Sequence, residues 1–184
     1  MALNSPVLTS SNVVAAVSGE IALAPLGTAL PVGTAATADA AFVGLGYFSD
    51  DGVKEVFETS ESSEYAWQNR QEVLRSVDKA SVSYEETLIE TKKVTVEAYY
   101  GTSVTQTATE GTYTINPGGT SGRKAMYFTK IYSNWKIRLV TCEDAEVFKA
   151  GNVEDKDGKS VKYPIKIVCY SKPKVYDQQL ATGI

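Results

Sequence analysis

At 184 residues, 43% of them apolar and 22% charged, the chain has the make-up of one soluble domain with a sizeable core. Its net charge of -4 argues against a nucleic-acid reader, which would present a basic face. It contains no histidine, so the commonest acid–base side chain and the commonest zinc ligand are both missing.

Residues 1–41 are rich in Ala, Thr, Ser, Gly, Pro and Val, with Glu20 and Asp39 the only charges. This composition fits an extended arm better than a compact unit. Within it, residues 17–23 read as a short extended piece and 34–39 as a linker. The N-terminus has no Lys or Arg, so no secretory signal is expected. Gly19, Glu20 and Pro25 interrupt the apolar stretch 13–30 too often for a membrane span. A cytoplasmic product is expected.

Residues 42–47 read as a strand punctuated by Gly44 and Gly46. Asp50-Asp51-Gly52 is a turn, since no third ligand follows at calcium-loop spacing. Two long extended segments come next, residues 53–67 and 73–89, joined by a polar turn near 68–72. The first carries Glu55, Glu58, Glu61 and Glu64 and shows no apolar face at helical spacing. The second alternates. Val82, Tyr84 and Leu88 share one face, into which Glu86 intrudes, while Ser83, Glu85 and Thr87 share the other. Thr91 reads as the cap of a short helix over 92–100, ended by Gly101.

Residues 103–109 are polar and 111–116 form a short strand. The Gly-rich loop 117–122 lacks the Gly-Lys-Ser/Thr ending of a phosphate site. Strands then dominate: 125–132 and 135–148, joined through Ser133-Asn134, and 161–171 after the turn Asp155-Lys156-Asp157-Gly158. In the last of these, Val161, Tyr163, Ile165, Ile167 and Cys169 alternate with Lys162, Pro164, Lys166, Val168 and Tyr170. Pro164 cannot donate a ladder bond and places this strand at an edge or a bulge. Residues 172–184 show no core-forming pattern and read as a tail. Cys142 and Cys169 are the only cysteines. They read as buried thiols, or as a disulfide if their strands are neighbours.

The order Gly44-Leu45-Gly46-Tyr47-Phe48-Ser49-Asp50-Asp51-Gly52-Val53, then Ala66-Trp67-Gln68-Asn69, then Leu88-Ile89-Glu90-Thr91-Lys92, is collinear with a known pattern. Continued to Ile167-Val168-Cys169-Tyr170, it resembles the major tail (tail tube) protein of long-tailed, siphovirus-type bacteriophages over residues 21–170. Glu86 departs from that pattern by falling where such proteins carry an apolar, core-facing residue. A one-residue slip there would carry Glu85 to the buried side.

The resemblance implies a mainly β fold with one short α-helix. Two packed antiparallel sheets, sandwich- or barrel-like, would occupy residues 42–171, with an extended arm at 1–41 and a tail at 172–184. It also implies hexameric rings stacked into a hollow tube around a tape measure protein, bounded by tail terminator and tail-tip proteins. Double-stranded DNA would later pass through without sequence-specific binding. The virion tail is then the destination, after synthesis in the host cytoplasm, with no membrane partner. No acid, base or nucleophile converges, so neither catalysis nor a cofactor or metal is expected.

The resemblance further puts the long hairpin in the inner wall, with Glu58, Glu61, Glu64, Ser83, Glu85 and Thr87 facing the lumen. Val17, Ile21 and Leu23 would be the arm's contacts with a neighbouring subunit, mobile until assembly. Two alternatives stand beside this. One is a β-sandwich carbohydrate-binding module with Tyr99, Tyr100, Tyr132 and Trp135 as its platform. The other is a different virion component, such as a decoration or tail terminator protein.

Overall fold

The computed structural model describes residues 13–181, most of which form antiparallel strands. In chain order these are β1 (Ala16–Pro25), β2 (Val43–Gly44), β3 (Lys54–Tyr65) and β4 (Glu72–Leu88), then helix α1 (Lys93–Tyr100). After the helix come β5 (Thr105–Gln106), β6 (Gly111–Thr112), β7 (Arg123–Tyr132), β8 (Ile137–Lys149), β9 (Tyr163–Cys169) and β10 (Lys174–Asp177). One large sheet runs β2-β1-β7-β8-β9-β4-β3, with β10 added to β8, and β5 and β6 form a small second sheet. The mainly β fold with one short helix agrees with the sequence reading.

The two packed layers are halves of the large sheet, joined through β8. This strand pairs with β7 along one edge, and its other edge is shared end to end by β10 and β9. Between Cys142 and Ala145 it carries an extra residue, a bulge that bends it where the neighbour changes. The sheet coils until β4 faces β7. There the rings of Tyr84 and Phe128 meet edge-on at 5.8 Å, an arrangement contributing about 1 kcal/mol beyond its buried area. Ile21, Leu23, Met126, Val140, Val147, Ile165, Ile167 and Leu88 fill the space between the layers.

Helix α1 packs on β8 and β9. Val94, Thr95 and Val96 are poor helix formers, so tertiary contacts hold the segment in shape. Thr95 Oγ1 donates to Leu45 O at 3.1 Å and the Tyr99 hydroxyl donates to Gly151 O at 2.5 Å. The expected cap at Thr91 is not made. Lys92 occupies the N-cap position without a side-chain capping bond, and Thr91 Oγ1 lies 3.1 Å from the Tyr163 hydroxyl instead. Gly101 does end the helix, in the left-handed region at φ 63. A Cβ there would run into the Thr120 backbone.

Three expectations are corrected. Residues 16–25 are not a free arm: β1 pairs with β7 along its length and with β2 at Ala22 and Leu23, and Ile21, Ala22, Leu23 and Ala24 are all buried. Residues 26–41 then fold back over the outer face. Phe42 packs against Tyr127 with tilted rings 5.0 Å apart, and Gln178 Nε2 donates to Thr34 Oγ1 at 2.9 Å. Second, part of the expected tail is strand β10, paired to β8 through Val175 and Val140. Third, β9 lies between β8 and β4, not at an edge. Pro164 is tolerated because pairing with β8 begins only at Ile165. The rest of the expected arm (residues 1–12) and of the tail (182–184) lies outside the described residues.

Candidate assembly surface

β3 and β4 form one long hairpin. Ala66 N donates to Gln71 O at 2.8 Å across its turn, and Asn69 and Arg70 adopt left-handed φ of 59 and 51 there. β9 covers β4 only between Val82 and Leu88. Past that point, among the described residues, the ribbon has no neighbouring strand on either edge. Two strands alone are marginally stable in water, and their unpaired N–H and C=O groups invite further pairing.

The register defines two chemically different faces. Glu55, Phe57, Thr59, Glu61, Ser63 and Tyr65 from β3 continue the core face, opposite Tyr84, Val82, Ala80, Val77 and Arg75. Lys54, Val56, Glu58, Ser60, Ser62 and Glu64 take the other face, opposite Glu85, Ser83, Ser81, Lys79, Ser76 and Leu74. An extra residue at Asp78 keeps the alternation in step across the ribbon. The first face, apolar at Phe57, Tyr65, Val77, Ala80 and Val82 and interrupted by the Glu61–Arg75 pair, is open: Phe57 is 68% and Tyr65 60% exposed, and Trp67 at the turn is 96% exposed. Large apolar side chains left open in this number on one hairpin point to a protein contact. The second face is built mainly from serine, glutamate and lysine, with Val56 and Leu74 among them.

Of the residues assigned to the lumen, Glu58, Glu64, Ser83, Glu85 and Thr87 do share the polar side of the register, but Ser83 is only 2% exposed, its hydroxyl buried without a partner, and it has no surface to offer a lumen. Glu61 does not lie on that side. It stands opposite Val77 on the apolar face, with Arg75 Nη1 at 3.7 Å, because a spacing of three residues cannot keep one side of a strand. The polar face is also less acidic than the glutamates suggest. Lys166 Nζ from β9 donates to Glu58 Oε1 at 2.6 Å and lies 3.7 Å from Glu85, which has Lys54 at 3.8 Å. The Lys166 ammonium holds the Glu58 carboxyl below the usual carboxylate range, and Glu58 in turn holds Lys166 above the usual lysine value. Its outward position between Ile165 and Ile167 is the one sequence signal that could have placed Lys166 here.

The predicted arm residues separate in the same way. Ile21 and Leu23 lie in the subunit's own core opposite Phe128 and Met126, with no surface to offer a neighbour. Val17 is bulged out of β1 and exposed. It lines a groove of about 370 Å³ with Gly19, Tyr47, Val53, Phe128 and Lys130, beside the stretch of β1 that β2 leaves unpaired. The four aromatics of the carbohydrate alternative do not make a platform. Tyr99 is buried against Tyr163, with centroids 5.6 Å apart, and Tyr100 packs on Tyr113.

A search of curated proteins finds no match to this chain. A family model described as "Phage tail tube protein" matches residues 6–182, nearly the full length. With that match lying over a β-rich subunit that presents an unpartnered hairpin, the chain belongs to the phage tail tube protein family and is a structural component of the virion tail.

Proposed function

We propose that copies of this chain close side by side into hexameric rings, that the rings stack into the tail tube of a siphovirus-type phage, and that the tube conducts double-stranded DNA. The observation that carries this reading is the projecting hairpin, open at both edges and apolar on one face. Closure around a ring removes unpaired edges, and a cyclic contact repeats the same two patches at every interface. The apolar face, with Phe57, Tyr65 and Trp67, packs against the neighbouring copy. Val17 and its groove supply a second contact. The tape measure protein fills the bore before ejection, and tail terminator and tail-tip proteins bound the ends.

Negative-stain images of the concentrated protein test this directly. Rings or tubes are expected, with an initiator complex if the free chain is slow to nucleate. A chain that stays monomeric with and without tail-tip partners would overturn the reading, and single rings that never stack would favour a terminator role.

The polar face, in the same reading, lines the channel. DNA must pass without adhering, and each Lys or Arg offered to it adds an attractive phosphate contact. The triple change Glu58→Lys, Glu64→Lys and Glu85→Lys should therefore slow DNA ejection at low salt and recover at high salt. Glu61→Lys, on the other face, should leave the rate unchanged where tubes still form. Ejection from the triple variant at the wild-type rate, whatever the salt, would remove these side chains from the bore.

A further inference from the structure

We propose that Cys142 and Cys169 form a dithiol site that closes to an intramolecular disulfide when the protein meets a small disulfide oxidant such as glutathione disulfide. Both thiols are free and buried in this structure. They stand on neighbouring strands, which is the condition the sequence left open. The β8 bulge returns Cys142 to the same core face as Ala145, and Ala145 is the direct partner of Cys169 on β9. Past Cys169 the chain crosses towards β10 and is pinned over Cys142. Ser171 Oγ lies 3.3 Å from Cys142 Sγ and accepts from Asp144 N at 3.2 Å, while Asp144 O accepts from Tyr170 N at 2.8 Å.

Cys142 Sγ donates to Asp144 O at 3.2 Å, and the neighbouring Cys169 thiol is the largest influence on it, drawing it down to about 6 against the effect of burial. Cys142 and burial together push Cys169 up. Either thiol, once deprotonated, can attack while the other resolves.

One protein thiolate attacks one sulfur of the oxidant, forming a mixed disulfide and releasing one glutathione thiolate, which takes up a proton. The other protein thiol loses its proton and attacks the protein sulfur of the mixed disulfide, so the Cys142–Cys169 bond forms and the second glutathione leaves. Two protein thiols are oxidised and one glutathione disulfide is reduced. Access requires local opening of the segment after Cys169, where Tyr170 is exposed and Ser171 lies against Cys142. The bond would staple the end of β9 to β8 where that strand changes neighbours. It would stay open in a reducing cytoplasm and close outside it. None of this chemistry depends on ring formation.

The test incubates the full chain, folded, with glutathione disulfide at mildly alkaline pH, then alkylates under denaturing conditions and weighs it. Complete loss of both alkylatable thiols, a mass lower by two hydrogen atoms and one cross-linked Cys142–Cys169 peptide are expected. Cys169→Ser should stop at a stable glutathione adduct on Cys142, and Cys142→Ser at one on Cys169. Two thiols still alkylatable after treatment in mild denaturant, or a bond found only between separate copies, would overturn the proposal. The wild-type mass alone decides if either variant fails to fold.

Discussion

Replacing residues 58–81 with a short glycine-containing turn should yield a folded subunit that no longer assembles. The cut lies just beyond the pair Phe57–Val82, and Val82 is the first residue of β4 that β9 covers. Everything removed is exposed or nearly so, while the core members Tyr84 and Leu88 keep both neighbours. The melting temperature should therefore move by only a few degrees. Assembly should suffer far more, because Tyr65, Trp67, Leu74 and Val77 leave with the ribbon. Burying an apolar side chain of this size contributes about 2 kcal/mol. Several per copy are comparable with the roughly 4–15 kcal/mol that association costs in lost freedom. A milder change, Trp67→Ala, should raise the critical concentration at least tenfold, given about 2 kcal/mol for a central aromatic anchor. Sedimentation and electron microscopy report both. Tubes of normal length from the shortened chain would show that the hairpin is not the assembling element.

How much of this was legible in the sequence varied with the length of the pattern. β9 shows four inward residues in strict alternation, Tyr163, Ile165, Ile167 and Cys169, because each meets a core already filled from β4 and β8. Gly101 was legible because only a residue without a Cβ fits beside the Thr120 backbone. β1 was misread as an arm. Its small and apolar residues 21–24 are buried on both faces, and residues 26–41 fold back over the outer face beside Glu20, which no local pattern announces. β10 was missed for a related reason: its partner is the half-edge of β8 that β9 leaves vacant.

The candidate surface was legible in its chemistry and only partly in its geometry. The run of glutamates drew attention to β3, yet strand periodicity separates Glu61 from Glu58 and Glu64. Lys166 neutralises part of the same face from a strand far along the chain, and only the β4–β9 register brings it there. Charge read along a strand omits what the next strand contributes.

Glu86 is where the sequence pattern and the fold conflict most, and changing it should have the largest effect on stability. The register has not slipped to expel it: Glu86 pairs with Ile165 on the core side of β4, is 5% exposed, and neither carboxyl oxygen has a hydrogen-bond partner. Burial pushes its carboxyl up to about 8. The unfolded chain releases this proton near the ordinary carboxylate value and the folded chain only near 8. Over that interval the folded state holds the extra proton, so the contribution of Glu86 to stability falls as pH rises, by at most about 1.4 kcal/mol per pH unit. Glu86→Leu, similar in volume and apolar, should remove that slope and stabilise the subunit by about 3 kcal/mol at neutral pH. Cys142, drawn down to about 6, contributes the opposite slope above that value in both proteins, so the difference between variant and wild type isolates Glu86. Denaturant unfolding of both at acidic, neutral and alkaline pH measures it. A difference that stays constant across the range, or a variant less stable than wild type at neutral pH, would mean that the carboxyl finds a partner or water in solution.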